Sequence, residues 1–139
     1  MDKPIAELLS KRDHRTLAIW AADCAGHVLP YFEEKYPKDN RPREAVEAGR
    51  AWVRGEIAVS EARTAAFAAH AAARGANQDA ARAAARAAGH AAATAHVAGH
   101  AVHAATYAAR AAGHAVDSAD ADTAAAKERD WQYQHLLGL

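Results

Sequence analysis

The amino-acid sequence predicts an all-α protein, a single-domain antiparallel helical bundle of about five to seven helices with an alanine-rich, tightly packed C-terminal half. Strand patterns are nearly absent, because no Val/Ile/Tyr alternation and no Asn-Gly hairpin turn occurs. Apolar residues recur instead at helical spacing along the whole chain. The length of 139 residues is typical of one domain, so we expect residues 1–139 to fold as a single unit.

The first clear helix is predicted to begin near Asp13, a residue type that caps helix N-termini well, and to reach about Val28. Its wide side chains, such as Trp20, fall on one face at a spacing of 3.6 residues. Pro30 disfavours helical geometry at Leu29, which predicts a kink or a break there.

A second helix is predicted from Pro42 to about Arg54, because proline is favoured in the first turn of a helix. A third is predicted to follow Ser60 as its N-cap and to reach Arg74, with Gly75 ending it.

The chain beyond residue 77 is dominated by alanine, which has the highest helix propensity, with Arg or His at intervals. Asn77 and Asp79 can cap its start. The sequence leaves open whether the helix continues or breaks between Gly89 and Thr94. The acidic stretch 117–122 predicts a turn and then a last helix towards Leu137.

Composition narrows the function classes. Seventeen basic and seventeen acidic residues cancel, so no global field draws the chain to nucleic acid or to an anionic membrane, and neither is an expected partner. No segment has the roughly 20 strongly apolar residues of a membrane span. One cysteine excludes an intramolecular disulfide, and the N-terminus has no apolar signal segment, which together predict a cytoplasmic location.

Three histidines form the sharpest candidate site. His96, His100 and His103 have i, i+4, i+7 spacing, which places them on one face of a single helix. Neighbouring imidazoles at such spacing can share Zn, Cu or Ni. One helix rarely supplies every ligand, so another helix would have to add one. The candidates for that ligand are Cys24, His27, Asp23 and His70. The alternative, which we favour, is that these histidines pack along an alanine-rich interface and donate to carbonyl groups.

A thiol site is a second possibility on the first helix. Cys24 and His27 lie three residues apart, and Asp23 lies four residues before His27, in the order of a nucleophile, base and orienting carboxylate. However, Cys24 falls near the centre of the apolar face, where burial would raise the pKa of its thiol. The sequence therefore favours a core cysteine, and a binding protein over an enzyme.

Two segments resemble a known family. Residues 12–30 read RDHRTLAIWAADCAGHVLP and residues 87–101 read AAGHAAATAHVAGHA, and the intervening RPREA at 41–45 and RAW at 50–52 fit the same pattern. Together they resemble the bacterial "putative immunity protein" family, which is small and helical. The resemblance implies a protein that neutralises a toxin by binding it, and it carries over no catalytic residue.

The sequence thus supports an immunity-type protein that neutralises a cognate toxin, or binds another protein, by stoichiometric association. The alternative is a helical protein that binds a transition metal, or a metal-bearing small molecule, for sequestration or catalysis. Its ligands would be His96, His100 and His103, with support from Cys24 or His27. A third interpretation is a homo-oligomer that associates through its small-residue helix faces.

Overall fold

The computed structural model describes residues 3–139, and all of their regular secondary structure is helical. Seven helices of at least seven residues and one single-turn helix pack into one antiparallel bundle, which confirms the predicted fold class. In chain order they are α1 (Lys3–Leu9), α2 (His14–Val28), α3 (Pro30–Glu33), α4 (Arg41–Val53), α5 (Val59–Gly75), α6 (Asp79–Ala93), α7 (His100–His114) and α8 (Ala121–Leu137). The sequence did not predict α1.

Helices α2 and α4 begin where the sequence predicts. The Asp13 carboxylate accepts a hydrogen bond from the Thr16 backbone N–H at 2.8 Å, which satisfies a free donor of the first turn. That bond also holds the pKa of Asp13 below its usual value. Helix α4 carries Pro42 in its first turn, where the missing N–H has no intrahelical partner to lose.

The predicted break at Leu29 is confirmed, because α2 ends at Val28 and α3 is a separate turn, but the predicted loss of helical geometry at this residue is wrong. Leu29 has φ −53° and ψ −36°, which are helical values, and α3 continues directly after it. The hydrogen-bond ladder is interrupted because Pro30 has no N–H, yet the chain keeps turning and buries Phe32 completely. Burial of this aromatic ring, on a turn that packs against α6, outweighs the local preference of a residue before proline.

Two predicted caps are also wrong. Ser60 lies inside α5, and the residue before that helix is Ala58, whose backbone N–H donates to the Glu61 carboxylate at 3.2 Å. Helix α6 is capped by Gln78, whose side-chain oxygen accepts from the Ala81 backbone N–H at 3.0 Å, and not by the residues on either side of it. Polar side chains at neighbouring positions compete for one cap, and sequence alone does not rank them.

Helix α6 is the central rod of the bundle and packs against α2, α3, α4, α5 and α7. Its buried side is built only from Ala and Gly, at positions 80, 81, 83–85, 87–89, 91 and 92. Backbones therefore approach closely: a Cβ atom on Gly49 of α4 would lie 3.3 Å from the Ala91 carbonyl oxygen of α6. The alanines that suggested self-association are thus used within the bundle. Oligomerisation stays a prediction.

Two of the largest buried side chains, Trp20 and Gln132, lie where α2, α7 and α8 meet. The Trp20 indole N–H donates to the backbone carbonyl oxygen of Gln132 at 2.9 Å. The side-chain amide of Gln132 donates in turn to the backbone carbonyl oxygen of Ala105 at 2.8 Å. Both side chains are almost completely buried. These bonds satisfy buried polar groups while joining three helices.

None of the helices within residues 3–139 combines the length and the apolar composition that a membrane crossing needs. The longest, α5 and α8, have 17 residues each and carry charged side chains along their length.

Candidate functional site

His96 does not share a helix with the other two predicted ligands. Helix α6 has ended before it, α7 begins at His100, and His96 lies exposed in the turn between them. The prediction of one helical stripe through His96, His100 and His103 is therefore wrong, although His100 and His103 do lie on α7, one turn apart.

The break before His96 is produced by a contact from far along the chain. The His14 ring forms a hydrogen bond of 2.5 Å to the Thr94 carbonyl oxygen, and the Thr94 hydroxyl donates to the His90 carbonyl oxygen at 2.9 Å. Thr94 is completely buried. Because its carbonyl accepts from α2, the helix ends there instead of continuing through the next turn.

The structure assembles a different group of imidazoles, which we call the histidine cluster: His70, His90, His100 and His103. The His90 ring centroid lies 4.9 Å from that of His70, 5.2 Å from that of His100 and 5.2 Å from that of His103. Its Nδ1 atom is 3.1 Å from His100 Nδ1. Tyr107 stacks on His90 at 5.3 Å, with the ring planes 7° apart. The sequence left open whether His90 joins the other histidines, because this depends on where the helix ends after Gly89, and the turn between α6 and α7 brings it opposite His100.

His70 reaches the cluster only because α6 has a glycine beneath it. A Cβ atom on Gly89 would lie 2.7 Å from the Cε1 and Nε2 atoms of the His70 ring, closer than real Cβ atoms approach. The Nδ1 atom of His70 is buried and makes no hydrogen bond within the described part of the chain. Gly89 therefore fixes the position of the ring by leaving room for it.

Burial makes three imidazoles of the cluster, those of His70, His90 and His100, hard to protonate. It lowers the pKa of His90 to about 3, and the neighbouring histidines add to the effect. Burial also lowers the pKa of His70, followed by the positive charges of Arg86 and Arg74. The pKa of His100 is lowered in the same way, by burial and then by His103. The nearby charges thus act in the same direction as burial, and these three imidazoles are neutral at pH 7.

Replacing Gly89 by alanine is expected to expel the His70 ring from the cluster, because the new methyl group would occupy its place. His90 would then lose one neighbour and some burial, so the pKa of its imidazole should rise from about 3 towards its usual value. NMR titration of the imidazole resonances measures this. Gly75→Ala, at a position with open space around it, is the matched control. An unchanged His90 titration in Gly89→Ala would contradict the packing described here.

Of the metal ligands proposed from the sequence, the structure brings together only His70, His100 and His103. Within residues 3–139, no three His, Cys, Asp or Glu side chains are arranged to hold one metal ion. Cys24 is buried, as predicted for a core cysteine, and burial followed by the charges of Glu128 and Asp23 raises the pKa of its thiol. His27 bonds instead to the Glu128 carboxylate at 2.5 Å. The metal site stays a prediction, although its three proposed histidines do not share the single helix on which the prediction was based.

A second group of polar residues lines a cleft of about 420 Å³ between α2, α4 and α8. Trp131 stacks between His27, with centroids 3.8 Å apart, and His135, 4.9 Å away. The Asp23 carboxylate receives Arg50 at 2.6 Å and His135 at 2.7 Å. Each histidine is thus held by a carboxylate and by the indole. The group joins three helices, and its bonds to carboxylates use one ring nitrogen of each imidazole.

Around the histidine cluster lies an exposed surface, formed by α5, α6, α7 and the turn before α7, which we call the arginine–histidine face. Phe67 has 64% of its surface exposed and Val97 48%. The Arg63 guanidinium lies 5.9 Å from the centre of the Phe67 ring, and that of Arg110 lies 5.0 Å from the centre of Tyr107. The face comprises Arg63, Phe67, His70, Arg74, Arg86, His96, Val97, His100, His103, Tyr107 and Arg110.

Comparison with known proteins identifies the family. A family model described as "Imm-5 like putative immunity protein" matches residues 7–138. The chain belongs to this family. The resemblance seen in the sequence is thereby confirmed, and the match extends beyond its two segments to nearly the whole bundle. Membership implies a cognate toxin as the partner. No curated protein and no solved structure matches the chain.

Proposed function

We propose that this protein neutralises a cognate toxin by stoichiometric association, one toxin bound by one chain. The observation that carries the proposal is the family match over residues 7–138, which includes every helix of the bundle except the start of α1. The bundle also exposes arginine and aromatic side chains, the residue types that dominate binding energy at protein interfaces.

The one thiol of the chain favours binding over turnover. The thiol of Cys24 is buried and its raised pKa disfavours the thiolate, which is the nucleophilic form. In the α2–α4–α8 cleft, the imidazoles of His27 and His135 are each bonded to a carboxylate and stacked on Trp131. These groups stabilise the bundle, and we assign them no chemical step.

The proposal predicts a toxin-like reading frame beside the gene, and it is tested by co-expressing the protein with the product of that reading frame. We expect growth to be restored, and the purified pair to elute as an equimolar complex in size-exclusion chromatography with light scattering. Because the interaction requires no metal, EDTA should leave both results unchanged. A bound but fully active toxin, or no complex at all, would contradict neutralisation by association.

The metal alternative is separated by elemental mass spectrometry on untagged protein purified without chelators. If the protein carries a near-stoichiometric metal, and if His96→Ala/His100→Ala loses both the metal and the protection against the toxin, metal binding would replace the proposal. His114→Ala, an exposed histidine outside the cluster, is the matched control. If the protein retains no metal after incubation with Zn, Cu and Ni, these histidines serve packing and contact with the partner instead.

A further inference from the structure

We propose that the arginine–histidine face docks an acidic surface of the partner protein. The inference rests on the proposed function, since the partner is the toxin, and it adds the location of the interface and the chemistry of the surface that meets it.

Charge is divided unevenly in this neutral chain. Residues 59–114, from α5 to α7, hold five arginines against two carboxylates, Glu61 and Asp79, which gives this region a net charge of +3 and the rest of the chain −3. Histidines are counted as neutral here. Asp79 is itself paired with Arg82 at 3.4 Å. The positive charge therefore lies on three adjacent helices.

The arginines of the face are free of internal partners. Within residues 3–139, Arg63, Arg74, Arg86 and Arg110 make no ion pair. Outside the face, five of the eight arginines are paired with a carboxylate, as in the bond of Arg43 to Glu33 at 2.5 Å, and Arg12, Arg15 and Arg129 are not paired with any carboxylate that the structure describes. Four guanidinium groups with unsatisfied donor capacity favour carboxylates from another molecule, because such pairs add specificity and speed association.

Aromatic and apolar side chains lie among these charges. Arg63 and Arg110 each lie over an aromatic ring, which restrains the guanidinium before any partner arrives and reduces the entropy lost on binding. Phe67 is exposed and borders a small hollow of about 160 Å³ that His70 and His100 also line. An exposed aromatic residue beside restrained arginines is the composition of an interface hot spot.

These features favour a protein over a nucleic acid. Affinity for nucleic acid comes mainly from cationic side chains that neutralise many phosphates, whereas the face offers four unpaired arginines. The lowered pKa values of His70, His90 and His100 keep those imidazoles neutral at pH 7, so they add no positive charge. Phe67 and Val97 are exposed on the same face, and apolar contact suits a folded partner.

The decisive experiment reverses two charges on the face and two elsewhere. Against the toxin identified by the neighbouring reading frame, Arg63→Glu/Arg110→Glu should weaken binding by about 100-fold, roughly tenfold for each lost charge pair. Lys38→Glu/Lys127→Glu makes the same change in net charge at exposed positions outside the face and should alter the dissociation constant by less than about threefold. Equal weakening by both variants, or none by the first, would overturn the inference while the proposed function stands.

A second measurement does not require the toxin. In ¹H–¹⁵N correlation spectra, a poly-glutamate peptide at low salt should shift the backbone signals of the face, centred on Arg63, Phe67 and His100, and spare α8. Shifts spread over the whole molecule, or tighter binding of a DNA duplex of equal charge to this face, would refute the assignment to an acidic protein. If poly-glutamate maps to the face but no toxin is bound, the proposed function fails and the charge assignment survives.

Discussion

Replacement of Trp20 by alanine is expected to lower the free energy of unfolding by about 3–5 kcal/mol, the usual cost of removing a large buried aromatic side chain. Trp20 has no exposed surface, and most of the core around it is alanine, which cannot expand to fill the space. The backbone carbonyl oxygen of Gln132 also loses the hydrogen bond that it accepts from the indole N–H. A loss of this size is a large share of the stability of an ordinary domain.

Urea denaturation followed by circular dichroism measures the change. Trp20→Phe is the matched variant, since it keeps a ring in the cavity but removes the indole N–H, so its cost should be well below that of alanine. If the two variants were equally stable, or if Trp20→Ala lost less than about 1 kcal/mol, the assigned role of Trp20 in joining α2 to α8 would be wrong.

Acid is expected to destabilise the bundle through the histidine cluster. The pKa of His90 is about 3 in the folded protein and about 6.5 in an unfolded chain, so the unfolded state binds the proton more readily. Stability from the neutral imidazole is therefore fully present above pH 6.5 and is lost as the pH falls towards 3. His70 and His100, whose pKa values are also lowered, act in the same direction.

The contribution of His90 is isolated by comparing the wild type with His90→Gln at pH 7.5 and pH 5. Between pH 7.5 and pH 5, the free energy of unfolding should fall by about 1 kcal/mol more in the wild type than in the variant. This figure includes a discount for the solvent that reaches the half-buried ring. Urea denaturation at each pH gives the numbers. His114→Gln, which changes an exposed histidine, should lose as much as the wild type. An equal loss in all three proteins would show that His90 does not titrate below its usual range.

The elements predicted well from the sequence are those fixed by neighbours along the chain. Asp13 caps α2 through an N–H only three residues away, and Pro42 needs only its own ring to suit the first turn of α4. The alanine-rich composition predicts helices with closely spaced backbones, since propensity and side-chain size are local properties. Fold class, helix number and the buried state of Cys24 follow from such signals.

The candidate site could be predicted only in part, because distant residues decide it. The end of α6 depends on His14, which bonds to the Thr94 carbonyl oxygen 80 residues away, and this places His96 in a turn. The same turn brings His90 against His100. His27 is held by a carboxylate from α8, about 100 residues further along the chain. Helical spacing identifies neighbours on one helix, and it carries no information on which helices face each other.

The all-Ala and Gly side of α6 has a consequence for how this sequence can diverge. A single nucleotide change in an alanine codon yields Val, Thr, Ser, Pro, Asp, Glu or Gly, and all but glycine enlarge the residue. Since the neighbours of α6 are helix backbones as well as flexible side chains, each enlargement would force whole helices apart. We therefore expect related chains to keep this rod almost unchanged and to accumulate their differences on the outer sides of α5 and α7. A lineage could then acquire a new partner by altering its surface while inheriting the same interior.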